Sequence, residues 1–146
     1  MKNSLLGFTL LCILFAGACK KDPVCQQGTA NKQEIIFWAQ CGECIPFTAR
    51  FTLTPQQLVD KDGKVLPDSL FQFARQLDDQ FPGELCASNK STYGCATCYD
   101  GVSVFLQTDC DGVVRSWEFD PSDPANSAEI KAYATLIRQV YFKCAQ

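Results

Sequence analysis

The 146-residue chain carries 13 Lys and Arg against 16 Asp and Glu, for a net charge of −3, and its cations are scattered, so a nucleic-acid partner is not expected. It contains no histidine, which removes Ser-His and Cys-His nucleophile pairs, histidine metal ligands and the commonest general base. Ten cysteines among 47% hydrophobic residues suit an exported, disulfide-bearing domain large enough to build its own core.

The chain begins with the cationic Met1-Lys2-Asn3, followed by an apolar run from Leu5 to Ala18. That run of about fourteen residues is shorter than the roughly 20 needed to cross hydrocarbon and fits the apolar core of an export signal. Ala16-Gly17-Ala18-Cys19 resembles the lipobox of bacterial lipoproteins, with Ala16 where leucine is usual. The resemblance implies a signal peptide over residues 1–18, acylation at Cys19 with palmitate-type chains, and a stable membrane anchor, since two or more chains hold where one is marginal. Lys20-Lys21-Asp22 lacks the acidic second residue associated with inner-membrane retention. By resemblance this favours the outer membrane, on its periplasmic side or at the cell surface. An ordinary secretory signal, with Ala16 and Ala18 forming its small-residue cleavage site, is the alternative.

Loss of residues 1–18 leaves 128 residues and removes Lys2, so the net charge becomes −4. Residues 19–33, polar and containing Pro23 and Gly28, read as a tether, and residues 34–146 as a single disulfide-rich domain. Glu34–Ala39 is a β-rich apolar run and Ile45–Leu53 alternates as its partner, with Cys41-Gly42-Glu43-Cys44 as the turn between them. Thr54-Pro55-Gln56-Gln57 has the form of a helix start, ended by Asp62-Gly63. From Asp68 to Phe81, Leu70, Phe73, Ala74, Leu77 and Phe81 recur at helical spacing, and Pro82-Gly83 stops that helix. Glu84–Asp100 has no periodicity and reads as a loop pinned by cysteines. Gly101–Thr108 and Val113–Phe119 alternate around an Asp111-Gly112 turn, which predicts a second hairpin. Asn126 with Glu129 forms a candidate capping box for a terminal helix whose face carries Ile130, Tyr133, Ile137, Val140, Tyr141 and Cys144. The order ββαββα predicts an α+β fold: a two-layer sandwich in which an antiparallel sheet of two hairpins has both helices on one face.

With Cys12 lost in the signal and Cys19 lipidated, eight cysteines remain at 25, 41, 44, 86, 95, 98, 110 and 144. An even number in an exported chain reads as disulfides. A terminal helix of about eighteen residues is as long as a strand of about eight, so a helix running back along the last strand would end beside the Asp111-Gly112 turn. This predicts a Cys110–Cys144 bridge. Cys86 with Cys95 or Cys98 would close the long loop, leaving Cys25, Cys41 and Cys44 near the first hairpin.

Phe37-Trp38-Ala39-Gln40-Cys41-Gly42-Glu43-Cys44 resembles the thioredoxin signature, which implies a thiol-disulfide oxidoreductase using Cys41 and Cys44. Against it, Glu43 replaces the proline, and Ile45–Phe51 alternates as a strand where thioredoxin has a helix. Cys41-x-x-Cys44 with Cys95-x-x-Cys98 has the form of a four-thiolate zinc site, though about fifty intervening residues exceed usual zinc-ribbon spacing. Asp109, Asp111, Asp120 and Asp123 sit in turn and capping contexts rather than as a catalytic carboxylate pair. Trp38 and Trp117 read as core.

No catalytic residue, metal ligand set or cofactor is therefore assigned. The expectation is a membrane-anchored, non-catalytic lipoprotein that binds or inhibits a protein ligand, with the redox and zinc readings as alternatives. Asp100-Gly101-Val102-Ser103-Val104-Phe105-Leu106, Asp111-Gly112 and the terminal amphipathic helix are similar in layout to emfourin-type inhibitors of metalloproteases, over about half of the chain. That likeness implies an inhibitor role but carries no inhibitory residue across. The loop from Glu84 to Tyr99 is the expected recognition surface, because disulfides would hold it in one shape before binding.

Overall fold

The computed structural model describes residues 33–42, 49–95, 98, 101–110 and 112–146, apart from the side chains of Gln33, Cys86 and Cys110. The expected signal peptide, Cys19, the tether up to residue 32, Cys25, Cys44 and Asp111 lie outside the described residues.

Six strands form one sheet in the order β3-β2-β1-β5-β6-β4. β1 (Gln33–Cys41) buries Ile35, Phe37, Ala39 and Cys41 on one face while Glu34 and Gln40 stay exposed, as period-two alternation requires. It pairs antiparallel with β2 (Arg50–Leu53), placing Ile35 opposite Leu53 and Phe37 opposite Phe51. The second expected hairpin is β5 (Val102–Cys110) with β6 (Val113–Phe119), turned at Gly112 with φ +84°. Asp109 Oδ1 accepts from the Gly112 N–H at 2.9 Å, which closes the turn.

The α+β class is as expected, but the order of elements is richer than ββαββα and the sheet is mixed. Thr54 does not start a helix. Its N–H donates to the Gln57 carbonyl at 2.9 Å, and its hydroxyl accepts from the Gln57 N–H at 3.1 Å. That closed turn reverses the chain into β3 (Leu58–Asp60), which lies antiparallel on β2. The expected 68–81 helix is broken at Arg75 into α1 (Asp68–Ala74) and α2 (Gln76–Asp79). Past Pro82, where a loop was expected, α3 (Gly83–Ala87) buries Leu85, and β4 (Thr92–Tyr93) runs parallel to β6.

The terminal helix α4 spans Ala128–Cys144 and buries Ile130, Tyr133, Ile137, Val140 and Tyr141, as its spacing predicts. Its cap is one residue later than expected: Ser127 Oγ accepts from the Ile130 N–H at 3.2 Å. Asn126 is instead buried, with Nδ2 donating to the carbonyls of Tyr93 and Asp120, each at 3.1 Å. α4 packs on β1 and β5, and α1 packs on β3 and α4. Trp117 is buried in this core, as read from the sequence, edge-on to Phe81 at 5.7 Å.

α4 does not retrace β6. Tyr133, near its start, lies 6.3 Å from Phe119 of β6, whereas Tyr141, near its end, lies 5.9 Å from Phe51 of β2. The helix thus crosses the sheet obliquely and ends near α1, where Lys143 Nζ sits 4.1 Å from the Phe73 ring centroid. Cys144 is a free thiol. The Cys110–Cys144 bridge is therefore not formed, because the helix carries Cys144 away from the β5–β6 turn.

Gly94, at φ +83°, follows β4 at a point where an added Cβ would stand 2.6 Å from Asp123 Oδ2 and 2.7 Å from Asp120 Cβ. Gly63 has a similar φ of +80° but open space around it. Gly94→Ala is expected to lower stability by about 2–4 kcal/mol, combining left-handed strain with a clash, whereas Gly63→Ala costs about 1–2 kcal/mol from strain alone. Urea unfolding of both variants checks the difference.

Candidate functional site

The face of the sheet opposite the helices carries a row built by strand register. β2 sets Arg50 opposite Trp38, β1 sets Trp38 opposite Phe105, and β5 sets Phe105 opposite Glu118 of β6. The row Arg50–Trp38–Phe105–Glu118 therefore crosses four strands. The Trp38 and Phe105 rings stack at 5.1 Å between centroids with 5° between planes. Arg50 Cζ lies 4.4 Å from the indole centroid. Arg50 Nη2 also donates to Gln107 Oε1 at 3.3 Å, and Ser103 Oγ donates to Glu118 Oε1 at 2.9 Å.

A second row runs beside it: Val59, Thr52, Ile36, Gln107 and Ser116. Val59, Thr52, Ile36, Trp38, Phe105 and Gln107 are half-buried, and Arg50 and Ser116 are exposed. Among the described residues no helix covers this face. What the row offers is two half-buried aromatic rings flanked by a cation and a carboxylate. That is the chemistry of a protein contact surface, where Trp and Arg are enriched.

Sequence reasoning placed Trp38 in the core and missed this row. The signal was present in the parity of β1: if Ile35, Phe37 and Ala39 face the helices, Ile36 and Trp38 face away.

The expected recognition loop is more ordered than anticipated. The Glu118 N–H donates to the Ser91 carbonyl at 2.9 Å and the Asp120 N–H to the Tyr93 carbonyl at 2.8 Å, holding β4 on the end of β6. Arg115 Nη2 donates to the Ser88 carbonyl at 2.6 Å. Beyond Gly94, Cys95 and Cys98 are bonded to each other. The expected bridge from Cys86 to either of them is thereby replaced by a local one.

Cys41 ends β1, is buried, and is disulfide-bonded. Three of the four thiolates of the zinc reading, Cys41, Cys95 and Cys98, are thus held in disulfides. Among the described residues no group of three or more Cys, Asp or Glu side chains is placed to hold a metal ion, and no helix is long and apolar enough to cross a membrane. Asp120 and Asp123 serve turns, each accepting a backbone N–H at 2.8 Å, from Ser122 and Ala125. No known protein family, curated protein or solved structure matches the chain.

Two expected outcomes follow from these side chains. Trp38→Ala, Phe105→Ala and the double variant, compared by urea unfolding, should give a coupling of about 0.5–1.5 kcal/mol, the usual size for a stacked aromatic pair. Half-buried Cys144 has its thiol pushed up from 9.0 to about 11 by burial, against the lowering effect of Lys143. The folded pKa exceeds the unfolded one, so stability is full below pH 9 and falls as pH rises through about 11. Alkylation of native Cys144 should still be rising steeply as pH passes from 10 to 11, where an exposed thiol of ordinary pKa 9.0 is nearly fully ionised.

Proposed function

We propose that this protein is an exported lipoprotein, anchored through Cys19, whose domain is a non-catalytic module that docks a protein partner on the sheet face that no described helix covers. The export reading rests on the cationic start, the short apolar run and the small residues before Cys19. The docking reading rests on one observation: the half-exposed Trp38–Phe105 stack in the middle of a sheet whose other face already holds the core. An apolar row in that position gains about 25 cal/mol for each Å² that a partner removes from water. The ladder is preorganised by its own contacts, so little ordering cost falls on binding. Inhibition of a protease, the role implied by the emfourin-like layout, is one form such docking takes.

Two experiments in the native host test the two halves separately. Radiolabelled palmitate should enter the full chain and fractionate with the outer membrane, and Cys19→Ser should abolish both. Absence of label, or label that survives Cys19→Ser, contradicts the anchor. A photo-crosslinking residue at Gln107 should yield a discrete protein adduct that is lost in the Trp38→Ala, Phe105→Ala double variant. An adduct that persists in that variant, or none in the parent, contradicts docking on this face.

A further inference from the structure

Four described cysteine side chains differ sharply in access. Cys41 is buried within the sheet and bonded, and Cys144 is a half-buried free thiol at the margin of the core. The Cys95–Cys98 disulfide is different: Cys98 is exposed and Cys95 half-buried. An incoming thiolate needs such access to a disulfide sulfur, and exposed bridges are the labile ones.

The bridge also contributes little to holding the loop. It spans a sequence separation of only 3, and so short a closure restricts the unfolded chain little. The approach to it is already fixed from the other side. The Tyr93 carbonyl accepts from the Asp120 N–H and from Asn126 Nδ2, and the Tyr93 ring is buried against Phe119 at 5.6 Å. Gly94 then packs against Asp120 and Asp123. Opening the bridge therefore leaves these anchors intact.

We propose that Cys95–Cys98 is a thiol–disulfide exchange site that takes thiols as its substrate class and opens without unfolding the domain. A substrate thiolate attacks Sγ of the exposed Cys98. A mixed disulfide forms, the Cys95–Cys98 bond breaks, and its electron pair leaves on Cys95 Sγ, which takes a proton. A second substrate thiolate then attacks the substrate sulfur of the mixed disulfide and releases Cys98 as a thiolate, which is protonated in turn. Two thiols are oxidised to one disulfide, and the Cys95–Cys98 pair is reduced to two thiols. The redox alternative at Cys41 and Cys44 is thereby moved to a different Cys-x-x-Cys pair, and the inference does not depend on the docking face or the lipid anchor.

The test uses the oxidised full chain in glutathione buffers of increasing reduced fraction, with mass-tag alkylation of native protein and peptide mapping. Cys95 and Cys98 should become labelled together at a reduced-glutathione concentration at least tenfold below that which opens the Cys41 bridge, with the tryptophan bands of the near-ultraviolet circular dichroism unchanged. In Cys95→Ser, oxidised glutathione should leave an adduct on Cys98. Labelling of the pair only alongside Cys41, loss of the tryptophan bands on reduction, or failure of Cys98 to take the adduct would each overturn the proposal.

Discussion

Nine consecutive residue pairs, from Gln33 opposite Cys110 to Cys41 opposite Val102, join β1 to β5 and make one sheet of the β1–β2 and β5–β6 pairs. Because strand side chains alternate faces, this single register sorts the apolar residues of both strands. Ile35, Phe37, Ala39, Val104 and Leu106 go beneath the helices, while Ile36, Trp38 and Phe105 go to the far side. A slip of β1 by one residue would turn Phe37 to the far face and bring Trp38 to the helix face. The same register places Trp38 directly against Phe105, so core and surface ladder are two consequences of one pairing. β2 and β6 extend it outward, adding Arg50 at one end of the ladder and Glu118 at the other.

The elements that local patterns specify were legible from the chain. β5 and β6 alternate on either side of a glycine that takes φ +84°, and α4 repeats its apolar residues at helical spacing. Elements that exist only through distant contacts were not. β4 is two residues long and is held by Ser91 and Tyr93 carbonyls accepting from β6 and the residue after it, a partnership invisible in Thr92-Tyr93 itself. Thr54 reads as a helix cap because its hydroxyl does accept backbone N–H groups, but a closed turn uses that same chemistry. Likewise Asn126 was a plausible cap until Tyr93 and Asp120 offered it buried carbonyls.

The cysteine pairing failed as a sequence inference for a geometric reason. Strand and helix lengths match, but they do not fix the angle at which α4 crosses the sheet. The aromatic pairs Tyr133 with Phe119 and Tyr141 with Phe51 set an oblique path, and Cys144 ends as a free thiol. In the loop, the bridge formed is the most local one available, Cys95 to Cys98. The site shows the same division: residue types that suit a contact surface were visible, but Trp38 and Phe105 are 67 positions apart and meet only through the β1–β5 register.

Hydroxyl-radical footprinting of the purified full chain, read residue by residue by mass spectrometry, tests the arrangement most directly. Phe37 and Trp38 are neighbours in sequence and are assigned to opposite faces. Trp38 and Phe105 should oxidise readily, while Phe37 and Trp117, buried at 0% and 2% exposure, should be protected. Protection of Trp38 equal to that of Trp117 in the unpartnered protein would contradict an open docking face.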